Sequence, residues 1–142
     1  MIIAIDFDGT IVEHAYPKIG KPIPFAIETL RMLHDDGHRL ILWTVREGKL
    51  LQEAIDYCEQ NGICFFAVNA NYPEEKRETS PRKLVADLFI DDRNLGGLPD
   101  WGIIYRAVQA TVRGECSFET FTNKVSDPEK TGKKGFGGWF KW

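Results

Sequence analysis

The sequence predicts an α/β fold of three layers built around a mostly parallel sheet. Short β-branched runs alternate with amphipathic stretches of about a dozen residues, and glycine or proline marks most junctions. The polar residues with chemical potential follow the apolar runs rather than interrupt them. One hundred and forty-two residues with 43% apolar and 27% charged side chains suit one globular core and exclude disorder as the main state.

Ile2 to Phe7 reads as the first buried strand, ended by Gly9-Thr10. Glu13 to Pro24 holds three prolines and a glycine, so a loop or small hairpin is expected. Pro24 then opens a helix with Ala26, Ile27, Leu30 and Leu33 on one face, and Gly37 stops it. Leu40 to Trp43 is the second strand. A second helix buries Leu51, Ala54, Ile55 and Cys58 and ends at Asn61-Gly62. Ile63 to Val68 is the third strand, Asn69 to Pro81 a loop, Leu88 to Ile90 the fourth strand. Pro99 to Thr111 forms the last helix, with Trp101, Ile104, Tyr105 and Val108 inward.

The net charge of −3 predicts no general affinity for nucleic acid. It is unevenly spread: residues 124–142 carry five Lys against two acids, whereas residues 1–123 carry 13 basic and 19 acidic groups. Two parts are therefore expected, a core over 1–123 and a Gly/Lys/aromatic tail over 124–142. Phe136, Trp139, Phe140 and Trp142 crowd the end of that tail, where burying each would stabilise by ~1.5–3 kcal/mol; contact with the domain itself or within a homo-oligomer is the expectation. Cys58, Cys64 and Cys116 form no CxxC pair, and an odd count makes a poor disulfide framework, so reduced thiols and a cytoplasmic location are expected. The apolar start is broken at once by Asp6 and Asp8, and no run approaches the ~18 residues of a membrane span.

In an open α/β sheet, chemistry sits outside the carboxyl ends of the strands. Asp6 and Asp8 close the first strand, Thr44 the second, Asp91 and Asp92 the fourth. Aspartates after strands also serve simply to cap helices and bend loops. Four carboxylates gathered at one sheet edge repel one another, however, unless a cation lies among them, and Mg²⁺ takes such an oxygen shell together with phosphate.

Asp6-Phe7-Asp8-Gly9-Thr10 resembles the signature of the haloacid dehalogenase-like hydrolases, a family of aspartate-nucleophile phosphatases. Ile41-Leu42-Trp43-Thr44, Lys83 and Phe89-Ile90-Asp91-Asp92 continue the pattern in order over about 90 residues. The resemblance implies a three-layer Rossmann-like sandwich and a Mg²⁺-dependent phosphatase. In it Asp6 attacks phosphorus, and Asp8 protonates the leaving oxygen and later activates water. Asp8 also offers its backbone carbonyl to the metal. Dehalogenases of the family lack the second aspartate, so Asp8 implies phosphoryl substrates. Gly9 and Thr10 are expected to turn N–H groups toward phosphate, and Thr44 to donate its hydroxyl. Lys83 is expected to meet the phosphate charge, with Lys76 and Arg82 as competitors. Asp91 is the expected direct metal ligand, with Asp92 acting through water or on Lys83. Arg46 either reaches the non-reacting part of the substrate or is a solvated loop residue. Of three histidines only His14 lies in a segment overhanging the site, and none has metal-ligand spacing.

Many family members carry a cap domain. Here 33 residues separate Thr10 from Thr44 and 38 separate Thr44 from Lys83, too few for one, so the site is expected to be open beneath segments 11–21 and 69–80. The stretch from Tyr16 to Pro24, the Trp-Thr-x-Arg run and Ile90-Asp91-Asp92-Arg93 are also similar to a compact group of bacterial and phage members. Sugar phosphate, nucleotide, phosphoprotein and nucleic-acid end phosphate all stay open as substrates. A non-catalytic protein of the same fold, binding a phosphorylated ligand or a protein partner, is the alternative reading.

Overall fold

A computed structural model describes residues 1–118. The elements run β1 (Ile2–Ile5), α1 (Ala26–Asp35), β2 (Arg39–Leu42), α2 (Gly48–Gln60), β3 (Ala67–Val68), β4 (Leu88–Ile90) and α3 (Trp101–Val112). The strands form one parallel sheet in the order β3-β2-β1-β4, giving a three-layer α/β arrangement. Among the described residues no additional cap domain lies between the elements. The chain clusters into two compact units, Met1–Tyr105 and Arg106–Trp142, with the boundary inside α3. The sheet and every cleft described below belong to the first. Among the described residues of the second are the end of α3 and a pair between Arg113 Nε and Glu115 Oε1 at 2.7 Å. The expected boundary at 123/124 and the tail lie outside the described residues.

The pattern of burial explains the strand order. Ile3, Ala4 and Ile5 are all at most 1% exposed, and successive strand residues face opposite sides, so β1 is covered on both faces. That suits an inner strand, and β1 pairs with β2 through Ile3↔Leu40 and with β4 through Ile3↔Leu88. One cluster gathers Ala4, Ile41, Ala67 and Leu84, flanked by Trp43, Phe66 and Phe89. In α1 the buried residues are Ala26, Ile27, Thr29, Leu30 and Leu33, the expected stripe plus one threonine. In α2 Ala54 and Cys58 are buried, while Leu51 and Ile55 are half-covered. Burial pushes the Cys58 thiol up to about 12, so it stays a neutral core group. All three cysteines are free. No helix among the described residues is long and apolar enough to cross a membrane.

Several boundaries differ from the sequence expectation, β2 and α3 by a residue or two and three others for a visible reason. β1 stops at Ile5 rather than Phe7 because the Phe7 carbonyl already accepts from the Ile11 and Val12 N–H groups, folding the chain back on itself. Ile63 is drawn into the α2 terminus, its N–H donating to the Cys58 carbonyl at 2.9 Å, which leaves only Ala67–Val68 as strand. α1 begins at Ala26 because Phe25 takes the left-handed region at φ 64, which interrupts the helical backbone before it.

Segment 13–22 is a short arm rather than a free loop. The Glu13 N–H donates to the Lys21 carbonyl at 2.8 Å and the Ile23 N–H to the Ile11 carbonyl at 2.9 Å, and Val12 bridges Pro22 in antiparallel fashion. It starts immediately after the Asp6–Thr10 turn and therefore stands beside the sheet's carboxyl edge.

Candidate active site

Every strand delivers a polar side chain to that edge: Asp6 after β1, Thr44 after β2, Asn69 after β3, and Asp91 with Asp92 after β4. The Asp6 N–H extends the ladder by donating to the Ile90 carbonyl at 3.0 Å. This sets the ends of β1 and β4 side by side and brings the aspartates together. One carboxylate oxygen from each of Asp6, Asp91 and Asp92 lies within 4.8 Å of the others. Burial pushes Asp6 up to about 6 against the pull of the Phe7 N–H and the Thr10 hydroxyl, and the charges of Asp91 and Asp92 add to the rise.

Thr10 holds the cluster in shape. Fully buried, it donates its hydroxyl to Asp6 Oδ2 at 3.2 Å, accepts the Asp92 N–H at 3.1 Å, and receives the Trp101 indole N–H on its carbonyl at 3.1 Å. The Gly9 and Thr10 N–H groups, expected at phosphate, instead close the turn on the carbonyls of Val12 and Phe7. Gly9 is needed for another reason: at φ +90, a Cβ there would lie 2.2 Å from His14 Nε2 and 2.6 Å from Asp92 Oδ2.

The donor set suits a hard divalent cation, which prefers carboxylate oxygens. Asp92 Oδ1 supports the fit, for it is buried and has no hydrogen-bond partner among the described residues, a costly state for a carboxylate oxygen in the absence of a cation. Asp92 Oδ2 is held by His14 Nε2 at 2.8 Å, and Asp91 Oδ1 accepts the Arg93 N–H at 2.7 Å.

The Asp8 side chain turns away from this cluster. Its oxygens accept from Arg46 Nε at 2.7 Å and Nη2 at 2.6 Å, a two-pronged pair of the strong kind. Arg46 was expected at the substrate or in solvent, yet it is 0% exposed. Its remaining donors meet the carbonyls of Pro17 and Lys18 at 3.1 and 2.9 Å, and its guanidinium lies 5.0 Å from the Phe7 ring centre and 5.4 Å from that of Tyr16. Hydrogen bonding to Asp8, above all, raises its already high pKa. Arg46 thus seals the arm over Asp8.

On the other side of Asp6 opens a cleft of about 900 Å³ lined by Asp6, Asp91, Thr44, Asn69, Arg77 and Arg82, with Trp43, Val45 and Leu51 among its apolar walls. The Thr44 hydroxyl accepts the Arg46 N–H at 3.2 Å and keeps its own hydrogen for another acceptor. Asn69, at φ 48, clamps the Thr44 backbone from both sides: its Oδ1 accepts the Thr44 N–H at 2.8 Å and its Nδ2 donates to the Thr44 carbonyl at 2.9 Å. Of the three cations weighed for the phosphate, Arg82 lines the cleft, whereas Lys83 is an exposed residue that does not. Leu84, the next residue, is buried in the apolar cluster. Asn71 fastens the outer loop, gripping Glu75 through its N–H at 2.6 Å and accepting the Val85 N–H at 2.6 Å. Asn69 went unread in the sequence, and His14 was noted there only as the histidine overhanging the site. Asn69 was within reach of the strand-end rule, since it directly follows β3; nothing in the spacing of His14 and Asp92 links them.

The fold and the clustered acids define a class: a small three-layer α/β protein with a carboxylate group able to chelate a metal at the carboxyl edge of its sheet. A conserved protein from Bacteroides thetaiotaomicron has a similar solved structure, with a TM-score of 0.73, 58% identity, and coverage of 84% of this chain and 94% of that one. The chain belongs to the same family as that protein. No family model and no curated protein matches it.

Proposed function

We propose that this protein is a Mg²⁺-dependent phosphomonoester hydrolase of the haloacid dehalogenase-like kind, working through an aspartyl-phosphate on Asp6. The observation that carries the reading is the convergence of Asp6, Asp91 and Asp92 beside a cleft that Asp6, Asp91, Thr44 and Arg82 line.

When bound, Mg²⁺ supplies positive charge for the phosphoryl oxygens and for the three carboxylates. Asp6 presents a carboxylate oxygen that forms a bond to phosphorus as the bond to the leaving oxygen breaks. Thr44 donates its hydroxyl to a phosphoryl oxygen, and Arg82, in the place first given to Lys83, meets the remaining charge. Asp8 delivers a proton to the leaving oxygen, then takes one from the water that attacks phosphorus and frees Asp6 and inorganic phosphate. Arg46 grips both Asp8 oxygens, so it has to yield at least one of them, and Asp8 has to take up a proton from solvent there, before this step.

That grip also favours a second reading, a catalytically weak or silent protein that binds a phosphorylated ligand or a partner. Hydrolysis of p-nitrophenyl phosphate with and without Mg²⁺ separates the two. Turnover that needs Mg²⁺ and vanishes in Asp6→Asn supports the hydrolase. Phosphate binding without turnover in the intact protein supports the silent form. Turnover undiminished in Asp6→Asn would end the nucleophile assignment.

A further inference from the structure

We propose that His14 is a positioning residue for the metal site: by holding Oδ2 of Asp92 it leaves Oδ1 as the oxygen of that carboxylate free to meet a cation. The inference rests on the proposal above that the aspartate cluster takes Mg²⁺, and goes beyond it by making cation affinity depend on the 13–22 arm.

Three contacts lead there. His14 Nε2 lies 2.8 Å from Asp92 Oδ2; a carboxylate oxygen only accepts, so Nε2 carries the hydrogen. Asp92 Oδ1, on the same carboxylate, is buried and has no hydrogen-bond partner among the described residues. The Asp92 N–H is fixed by the Thr10 hydroxyl at 3.1 Å. With its backbone and one oxygen pinned, the carboxylate cannot rotate to exchange oxygens, and Oδ1 keeps its direction. The space His14 occupies is the one Gly9 leaves by lacking a Cβ, so the tight turn of the Asp-Gly-Thr segment admits the imidazole to Asp92.

The arm stands without this contact. Glu13 and Lys21 are bonded through their backbones, Gly20 passes so close to Glu13 that a Cβ on it would lie 2.0 Å from the Glu13 carbonyl, and Arg46 holds the tip at Pro17 and Lys18. The imidazole itself is 52% exposed. Removing it therefore leaves the fold in place and releases only Asp92.

Calorimetric titration of the full chain with MgCl₂, and in parallel with MnCl₂, tests this on wild type, His14→Ala, His14→Leu and His14→Gln. Loss of a partner that orients a metal ligand weakens cation binding ~10–100-fold, and that loss is expected for Ala and Leu. Gln brings an amide N–H donor toward Oδ2 and should recover most of the affinity. Thermal melts of the metal-free variants should coincide with wild type; if Ala fails to fold, Leu, close in size and without a donor, carries the comparison. Wild type that binds cation with Ala and Leu unchanged overturns the role of His14 alone. Wild type that binds no cation overturns the metal reading beneath it. Weakening that Gln does not repair overturns positioning through a hydrogen bond.

Discussion

The two sides of Asp6 are built to different standards. Toward Asp8 and Asp92, nearly every polar group is matched: Arg46 makes four hydrogen bonds from its side chain, Thr10 joins Asp6, Asp92 and Trp101, and both Arg46 and Thr10 are fully buried. Toward the cleft, Val45 is 86% exposed, and Glu47 meets Arg77 only at 3.7 Å with both side chains largely in water. The proposed nucleophile Asp6 and proposed acid–base Asp8 belong to the tightly bonded half, where misplacement would be costly. The cleft half is held by fewer of these bonds, and loops on a rigid scaffold are where recognition is usually carried.

Replacing Asp6 breaks the tightly bonded half hardest. Asp6→Asn should lower turnover of p-nitrophenyl phosphate at least ~10³-fold, as loss of a nucleophile does. The same change should stabilise the metal-free protein at neutral pH. Asp6 is raised from 3.8 to about 6 in the fold, so the native state holds a proton that the unfolded chain releases between those values. Wild-type stability is therefore greatest below 3.8 as far as this group is concerned, and falls as pH rises through 6. Because Asp6 is only partly buried, the gain from Asn above pH 7 should be ~1–2 kcal/mol after allowing for solvent screening, shrinking toward pH 4; paired thermal melts from pH 4 to 8 measure it.

Arg46 is next. Arg46→Met leaves the Asp8 charge buried and single, and breaking such a pair costs ~3–5 kcal/mol, readable by urea denaturation. Arg46→Lys keeps charge but not the fork and should fall between wild type and Met. Equal stability of all three would show that the two halves do not differ as described.

Asn69 joins the halves at Thr44. Asn69→Ala leaves the Thr44 N–H without its partner, a loss of ~1–3 kcal/mol, and lets the threonine hydroxyl drift, so phosphate affinity should fall with it. On the loose side effects should be confined to substrate. Arg82→Ala should raise KM while Lys83→Ala leaves it unchanged, a split that steady-state kinetics reads directly. Least of all, Glu47→Ala should not measurably change the melting temperature, as is usual for exposed pairs.

How much of this was legible in the sequence follows the same division by distance along the chain. β1 and β4 were readable because β-branched runs ended by glycine or aspartate are local signals, and Asp6, Asp91 and Asp92 because strand ends share an edge. α1 gave its buried face through spacing alone. The pairing of Asp8 with Arg46 spans 38 positions and that of His14 with Asp92 spans 78; no local rule tells an arginine which carboxylate it will find. Ile63 read as strand because apolar runs look alike, whereas a helix terminus had already claimed its N–H. Lys83 and Arg82 differ by one position in an irregular segment, and no local pattern says which of them lines the cleft.

The Arg46–Asp8 pair also bears on how such a chain can change over generations. Losing either partner alone strands a buried charge, so each residue protects the other from replacement whether or not the protein still turns over substrate. A lineage that had abandoned hydrolysis would keep Asp8 for the sake of its fold, and with it the Asp-x-Asp spelling. In this chain the second aspartate anchors the arm, whereas Asp6, whose charge the fold tolerates at a cost, has no such partner to hold it in place once chemistry is no longer selected.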